Sequence, residues 1–145
     1  MYFVDREKIE EILLYLEKLV DLFSKQTEWS TPIQKAALER IFQMMLEAVL
    51  DIGNSMIDGF IMRDPGSYED IIEILMDEKV VSAETGNSLK KLISYRKMLV
   101  QMYTKINHTE LQTEFAANIE SFTVFANNVR VYLENELGPV SAFRK

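Results

Sequence analysis

The chain has 145 residues, of which 48% are hydrophobic, and this is the size and composition of one domain with a substantial core. It has no cysteine and one histidine, which excludes a disulfide framework, a thiolate zinc site, a cysteine nucleophile and a multi-histidine metal site within one chain. No apolar run approaches about 18 residues, and the N-terminus becomes charged at Asp5. We therefore expect a soluble, cytoplasmic protein with no signal peptide and no membrane span.

The net charge is −7, which disfavours nucleic-acid binding by the protein as a whole. One segment, from Thr85 to Thr109, departs from this balance because it contains basic residues and no acidic one. Its basic residues are Lys90, Lys91, Arg96, Lys97 and Lys105. Such a segment either binds an anion or is a solvated, lysine-bearing helix face, and charge alone does not separate the two.

Apolar residues spaced by threes and fours predict two long helices in the first part of the chain. The first covers about Asp5 to Gln26 and the second about Pro32 to Asp58. Thr31 and Gln34 form a capping box at the start of the second helix, and Gly59 ends it. The predicted core residues are Ile9, Ile12, Leu13, Leu16, Leu19, Val20 and Phe23 in the first helix, and Leu38, Ile41, Phe42, Met45, Ala48, Val49, Ile52 and Met56 in the second.

Three more helices are predicted after a loop at residues 61–66. The third is short and follows its expected cap, Ser67. The fourth runs from about Ala83 to Lys105 with Ser82 as its expected cap, and the fifth from about Thr109 to Leu137 with Asn107 as its expected cap. We expect residues 1–137 to form one helical domain and residues 138–145 a flexible C-terminal tail. The predicted core residues are Tyr68, Ile71, Ile72, Leu75 and Met76; Leu89, Leu92, Ile93, Leu99, Val100 and Ile106; and Leu111, Phe115, Ile119, Phe122, Phe125, Ala126, Val129, Tyr132 and Leu133.

No segment shows the two-residue alternation of a β-strand. Long amphipathic helices with short connections predict an all-α fold, an antiparallel bundle of four long helices and one short helix. We interpret Met102, like most methionines, as a core residue, and Trp29 as a packing residue of its loop rather than a stacking platform. His108, at a predicted helix start among polar residues, is interpreted as solvent-exposed.

The usual motifs for cofactors and metals do not occur. The glycines fit neither phosphate-loop pattern, and a di-metal site in a helical bundle needs Glu-x-x-His pairs, whereas Lys105 stands three residues before His108. We therefore predict no metal and no cofactor.

Arg96 and Tyr103 occupy two positions that would complete the apolar stripe of the fourth predicted helix. They are seven residues apart, which places them within about 20° of each other on an ideal helix. An arginine in an apolar stripe needs a partner. One possibility is an ion pair with a carboxylate on the second helix, such as Asp51 or Asp58. The other is a cleft or subunit interface in which the guanidinium binds a phosphate.

The segment Arg96-Lys97-Met98-Leu99-Val100-Gln101-Met102-Tyr103 resembles the signature of the HepT-like branch of the HEPN superfamily. That signature reads arginine, four residues, histidine, one residue, tyrosine. The similarity covers about residues 5–135, including the turn at residues 64–68, Val80-Val81-Ser82 and Ile106-Asn107. The resemblance implies a HEPN-like bundle, metal-independent cleavage of RNA such as tRNA, and a homodimer whose motif residues line a common cleft.

The resemblance also implies roles for individual residues. Arg96 would bind the phosphate, and Tyr103 would line the cleft and be the residue that a minimal nucleotidyltransferase antitoxin adenylylates. Gln101 stands at the histidine position, and glutamine cannot act as a general base because it has no pKa near neutrality. The candidate RNA contacts are Lys90, Lys91, Lys97 and Lys105.

Three hypotheses stay open. The chain is a ribonuclease toxin neutralised by a nucleotidyltransferase; or it is a catalytically impaired HEPN homodimer that binds RNA, nucleotide or that partner; or it is a helical scaffold in which Arg96 only forms a structural ion pair. We expect neither DNA nor a membrane as a partner.

Overall fold

The computed structural model describes residues 2–138, and in this part of the chain all regular secondary structure is α-helical. The helices are α1 (Arg6–Lys25), α2 (Pro32–Gly59), α3 (Tyr68–Asp77), α4 (Ala83–Ile93), α5 (Arg96–Val100), α6 (His108–Ala117) and α7 (Glu120–Leu137). Helix α2 is central and packs against α1, α3, α5 and α6, while α7 closes the bundle against α1 and α4. Helices that follow one another through short loops and pack together run antiparallel. The predicted all-α bundle is therefore confirmed.

The first two helices form as predicted. The side chain of Asp5 accepts a hydrogen bond from the Lys8 amide at the start of α1. The Thr31–Gln34 capping box is complete, because the hydroxyl of Thr31 accepts from the Gln34 amide while the Gln34 side chain accepts from the Thr31 amide, each at 3.1 Å. Nearly all predicted core residues of both helices are buried, and Ile12 and Val20 are half-buried. These burials confirm the amphipathic pattern.

Helix α3 begins behind its predicted cap, since the Ser67 hydroxyl accepts a hydrogen bond from the Asp70 amide at 3.0 Å. Before it, Arg63 binds Asp70 through two hydrogen bonds of 2.9 and 3.0 Å and fixes the preceding loop. Tyr68 was predicted in the core, and this is wrong: it is 48% exposed. As the first residue of the helix, it lies over a side chain from α5 rather than inside the bundle.

The prediction of one fourth helix from Ala83 to Lys105 is correct as far as Ile93 and wrong after it. The Ser94 hydroxyl donates to the Lys91 carbonyl at 2.6 Å, and the Tyr95 amide donates to the Leu92 carbonyl, three residues earlier. These contacts replace the four-residue hydrogen bonding of the α-helix, and the helix ends there. The short helix α5 follows, and residues 101–105 form turns. Tyr103 is therefore not on a helix with Arg96, and the predicted common face does not exist.

The fifth predicted helix, from Thr109 to Leu137, is divided between Ala117 and Glu120. Asn118 ends α6 because its side-chain amide donates to the Glu114 carbonyl at 2.9 Å. Its own carbonyl accepts from both the amide and the hydroxyl of Ser121. Short polar side chains compete with the backbone ladder in this way, so the division has a local cause.

The core is aromatic at its centre. Phe42 of α2 stacks on Phe115 of α6 with ring centroids 3.9 Å apart, and the ring of Phe122 of α7 stacks with that of Phe115 at 6.2 Å. No helix among residues 2–138 has the length and apolarity that a membrane crossing needs. The predicted C-terminal tail lies, apart from Gly138, outside the described residues.

Candidate functional site

Arg96 begins α5 and its side chain crosses to α2. Its Nε donates a hydrogen bond of 2.7 Å to Oε1 of Glu47, and the two side chains are only 20% and 25% exposed. Its guanidinium carbon lies 4.3 Å from the centre of the Tyr68 ring, which is a cation–π contact. Two neighbouring helices therefore fix the guanidinium. Of the two possibilities that the sequence left open, the ion pair with α2 is present, but its carboxylate is Glu47 and not Asp51 or Asp58.

The outer nitrogens of Arg96 are left available. Among residues 2–138, neither Nη1 nor Nη2 has a hydrogen-bond partner, and neither is a fully buried atom. A guanidinium has five N–H donors, and its outer edge matches two oxygens of a phosphate or carboxylate. Glu47 occupies the Nε donor, so an anion approaching from solvent would meet the Nη edge.

A second carboxylate, Asp51, stands one helical turn after Glu47. Burial raises the pKa of the Asp51 carboxyl above its usual value, and the negative charge of Glu47 raises it further, whereas Arg96 and Lys8 act in the opposite direction. The positive charge of Arg96 is thus shared between two acidic groups. An anion that binds Arg96 must compete with them.

Gln101, Met102 and Tyr103 lie on the exposed turn that follows α5. Met102 is 49% and Tyr103 65% exposed, and Gln101 is exposed as well. The prediction of Met102 as a core residue is wrong, because the helix that would have turned it inward ends at Val100. Within the described chain, the side chains of Gln101 and Tyr103 form no hydrogen bond, so the amide and the phenol face solvent.

The four candidate lysines fall into two pairs. Lys90 binds Glu73 of α3 at 2.6 Å, and Lys91 lies 3.0 Å from Glu114 of α6, so both are engaged in ion pairs between helices. Lys97 and Lys105 are exposed and form no ion pair in the part of the chain that the structure describes. Lys97 and Lys105 are therefore the lysines of this segment that an anion reaches without breaking an ion pair.

His108 is the first residue of α6 and was predicted to be solvent-exposed, which is wrong. It is half-buried, and its Nε2 lies 2.7 Å from Oε2 of Glu39 on α2. Glu39 precedes Glu47 by eight residues, about 12 Å along the helix axis. His108 and Arg96 are thus held at separate points of α2, and His108 does not take the place of the missing motif histidine beside Arg96.

Sequence reasoning missed Glu39, Glu47 and Tyr68 as partners of these residues. Glu47 carried a signal, because it interrupts the apolar run from Met44 to Leu50 and a carboxylate inside such a run needs a partner. Nothing in the local pattern of Tyr68 indicated a contact with an arginine that is 28 positions away. Among residues 2–138, no group of three or more metal-ligating side chains is placed to hold an ion.

Comparison with known proteins identifies the class to which this helical bundle belongs. The family model "Ribonuclease HepT-like" matches residues 9–129. A protein of Bacillus subtilis (strain 168) described as "Putative RNase YutE" is 54% identical over 144 residues, which cover 99% of this chain and 100% of that protein. The chain therefore belongs to the HepT-like family, and the resemblance found in the sequence is confirmed.

Solved structures agree with this assignment. The structure of YutE from Bacillus subtilis, described as a cytosolic protein of unknown function, has a TM-score of 0.95 at 54% identity and covers 99% of this chain and 100% of its own. A tri-AMPylated HEPN toxin of Shewanella oneidensis, in complex with an MNT antitoxin, has a TM-score of 0.75 at 16% identity, covering 85% of this chain and 96% of its own. At that identity the second likeness shows the HEPN fold, which was predicted from the sequence.

Proposed function

We propose that this protein is the RNA-cleaving toxin of a toxin–antitoxin pair and works in the cytoplasm as a homodimer, with Arg96, Gln101 and Tyr103 of each subunit around a shared cleft. The observation that carries the proposal is the geometry of Arg96 in a chain of the HepT-like family. Glu47 and Tyr68 hold its guanidinium, while the Nη edge forms no hydrogen bond within residues 2–138. This arrangement suits a phosphate-binding group.

In the proposed reaction the 2′-hydroxyl of one nucleotide attacks the adjacent phosphorus and gives its proton to water, and the bond to the 5′-oxygen breaks as that oxygen takes a proton from water. Arg96 binds the non-bridging oxygens and stabilises their growing charge. Gln101 donates or accepts hydrogen bonds but moves no proton. We expect cleavage to be slower by about 10²- to 10⁴-fold than with a histidine there.

The exposed turn supports the proposed dimer. Met102 and Tyr103 present apolar surface to solvent on the turn that follows the helix begun by Arg96. Aromatic and methionine side chains are enriched at interfaces between proteins. Pairing this surface across two subunits would also bring both copies of Lys97 and Lys105 to one cleft and concentrate positive charge on an otherwise acidic protein.

We propose further that a nucleotidyltransferase partner transfers AMP to Tyr103. The similar toxin from Shewanella oneidensis is described as AMPylated and bound to an MNT antitoxin, and the 65% exposure of Tyr103 leaves its hydroxyl accessible to an enzyme. Each AMP would add a negative charge and the bulk of a nucleoside at the cleft, and so repel RNA. Mass spectrometry of the protein from its native host tests this, with Tyr103→Phe as the variant that must lose the added mass.

A second candidate function is a catalytically impaired homodimer that binds RNA, nucleotide or the partner. Gln101 favours it because no group with a pKa near neutrality stands at that position. The carboxylates of Glu47 and Asp51 favour it as well, since they offset the charge of Arg96.

One cleavage assay separates these candidates. The purified protein is incubated with bulk tRNA and a chelator beside Arg96→Ala and Gln101→His. Arg40→Ala, which removes an exposed arginine of α2, is the matched control, and circular dichroism checks that each variant is folded. Cleavage by the native chain and by Arg40→Ala, but not by Arg96→Ala, supports the toxin.

Cleavage by Gln101→His alone supports the impaired homodimer, because the scaffold would then lack only its proton-transfer group. If no variant cleaves RNA and RNA binding is unaffected by Arg96→Ala, the toxin and an RNA-binding role for the homodimer are both contradicted. A homodimer that binds nucleotide or the partner, and the scaffold in which Arg96 is a structural ion pair, then remain.

A further inference from the structure

A polar groove of about 820 Å³ lies beside the exposed turn. Its walls are the α1–α2 loop with Trp29, the first turn of α2 with Lys35, and the start of α6 with His108 and Gln112. Ile106, which also lines it, is three residues from Tyr103, so their Cα atoms are separated by at most about 11 Å. One wall of the groove therefore begins directly after the turn that carries Gln101 and Tyr103.

Trp29 gives this groove an aromatic wall that is held in place. Its ring stacks on Phe23 with centroids 5.9 Å apart and an interplanar angle of 21°. The side chain is half-buried, and part of it lines the groove. The stack confirms that Trp29 packs in its loop, as the sequence indicated. It does not test the expectation that Trp29 is no stacking platform, because packing uses only part of its surface. Aromatic side chains bind single-stranded nucleic acid by stacking on its bases.

The polar groups of the groove include one cation that is not neutralised. Lys35 forms no ion pair with any of residues 2–138 and is exposed at the rim. Glu39 holds the His108 ring by the 2.7 Å contact, so the imidazole has a fixed orientation. Glu28 and Gln112 add oxygen and amide groups that can pair with the edge of a base.

We propose that this groove binds one nucleotide of the RNA strand next to the cleavage position, with the base against Trp29 and a phosphate at Lys35. The inference rests on the proposed function, because the groove continues from the turn that carries Gln101 and Tyr103. Its volume lies within the roughly 300–1,000 Å³ range of small-ligand sites. An aromatic wall, an unpaired ammonium and base-pairing groups are the components with which proteins recognise unpaired nucleotides.

Trp29 is also the protein's one tryptophan, so its fluorescence reports on this groove alone. The native protein is titrated with AMP, with UMP and with a short single-stranded RNA. Tryptophan is excited at the red edge of its absorption band, and free N-acetyltryptophanamide is the reference that corrects for absorption by the nucleotides. We expect saturable quenching by the nucleotides and by the RNA, and none by inorganic phosphate. The measurement needs no cleavage, so it succeeds or fails independently of the proposed ribonuclease activity.

Lys35→Ala is the informative variant and Lys18→Ala the matched control, because Lys18 is an exposed lysine of α1 outside the groove. We expect Lys35→Ala to weaken nucleotide binding by about fivefold and Lys18→Ala to leave it unchanged. As a second measurement, Trp29→Leu is tested for RNA binding by equilibrium dialysis and should lose about fivefold or more.

The proposal is overturned if nucleotides and RNA leave the Trp29 fluorescence unchanged. It is also overturned if Lys35→Ala binds both as well as the native chain does. RNA cleavage combined with an unresponsive Trp29 would reject the groove and keep the proposed function. Quenching without cleavage would keep the groove and reject the ribonuclease.

Discussion

Glu47 binds Arg96 through the Nε atom at 2.7 Å, so the carboxylate takes the inner edge of the guanidinium and leaves the outer edge accessible. This single contact acts in two opposite ways. It orients the arginine across the gap between α5 and α2, and it also cancels much of the charge that would attract a phosphate. Stability and anion binding are therefore coupled at this pair, and the two effects can be measured separately.

The first prediction concerns the energy of this pair. Arg96→Met should lower the free energy of unfolding by about 1–3 kcal/mol, because it leaves the partly buried Glu47 without its cation and next to Asp51. The double variant Arg96→Met/Glu47→Gln should recover part of that loss. Urea unfolding of the native chain, both single variants and the double variant completes the cycle. Strictly additive costs would show that the pair does not form in solution.

The second prediction concerns Asp51. Its pKa is raised in the folded protein, above all by burial, so the folded chain holds this proton to a higher pH than the unfolded chain. Stability from this group is therefore present at low pH and is lost as the pH rises above its usual value of 3.8. Asp51→Asn should raise the melting temperature at pH 7 by about 1–2 °C and have no such effect at pH 3. Asp58→Asn, a change at another exposed aspartate of the same helix, serves as control, and an equal gain at both pH values would contradict the expected pH dependence.

The third prediction concerns the tie between α7 and α1. Arg130 binds Glu10 at 2.9 Å and Glu17 at 2.8 Å, and its hydrogen bonds lower the pKa of the Glu17 carboxyl. A lowered pKa gives stability above the usual value of 4.5, and that stability is lost as the pH falls through the folded value. Arg130→Met should destabilise the protein by about 1 kcal/mol at pH 7, after allowance for solvent screening.

The difference between Arg130→Met and the native chain should shrink as the pH falls below about 4.5, where the carboxylates become protonated. Denaturant unfolding at pH 7 and at pH 3 measures it. Arg130→Lys keeps the charge but loses the paired hydrogen bonds, so its stability should lie between that of the native chain and that of Arg130→Met. A cost that does not change with pH would mean that Arg130 contributes by packing alone.

The fourth prediction concerns the contact between α2 and α3. A Cβ atom at Gly53 would lie 2.5 Å from Cγ2 of Ile71, a branched side chain that cannot easily turn away. Gly53→Ala should therefore destabilise the protein by about 1–3 kcal/mol, although alanine is the better helix former by about 1 kcal/mol. Thermal unfolding measures the cost. Adding Ile71→Leu removes the obstructing methyl group and should restore part of the stability. If the double variant is no more stable than Gly53→Ala, the steric strain does not come from Ile71.

The sequence predicted the helices well where capping and periodicity agree. Thr31, Ser67, Ser82 and Asn107 all cap the helices that they were expected to cap. The breaks at Ser94 and Asn118 were not predicted, because their flanking apolar residues keep a helical spacing while a polar side chain diverts the backbone hydrogen bonds. The periodicity of apolar residues indicates which face of a helix is buried, but it does not detect a local break of this kind.

The candidate site was predictable in part. Arg96 stood out because a charge interrupted an apolar stripe, and the motif spacing gave Gln101 and Tyr103. Their exposure was not predictable, since it follows from the end of α5 at Val100. The partners Glu47 and Tyr68 come from distant parts of the chain, and the spacing within one helix carries no information about them.

The two carboxylates of α2, Glu39 and Glu47, act as anchor points on either side of the turn at residues 101–105. Arg96 is attached at one end and His108 at the other, whereas the side chains of Gln101 and Tyr103 contribute nothing to the anchoring. The side-chain contacts that hold this turn to α2 therefore do not involve positions 101 and 103. Under the proposed function, a substitution at 101 or a modification of Tyr103 would leave both anchor points in place.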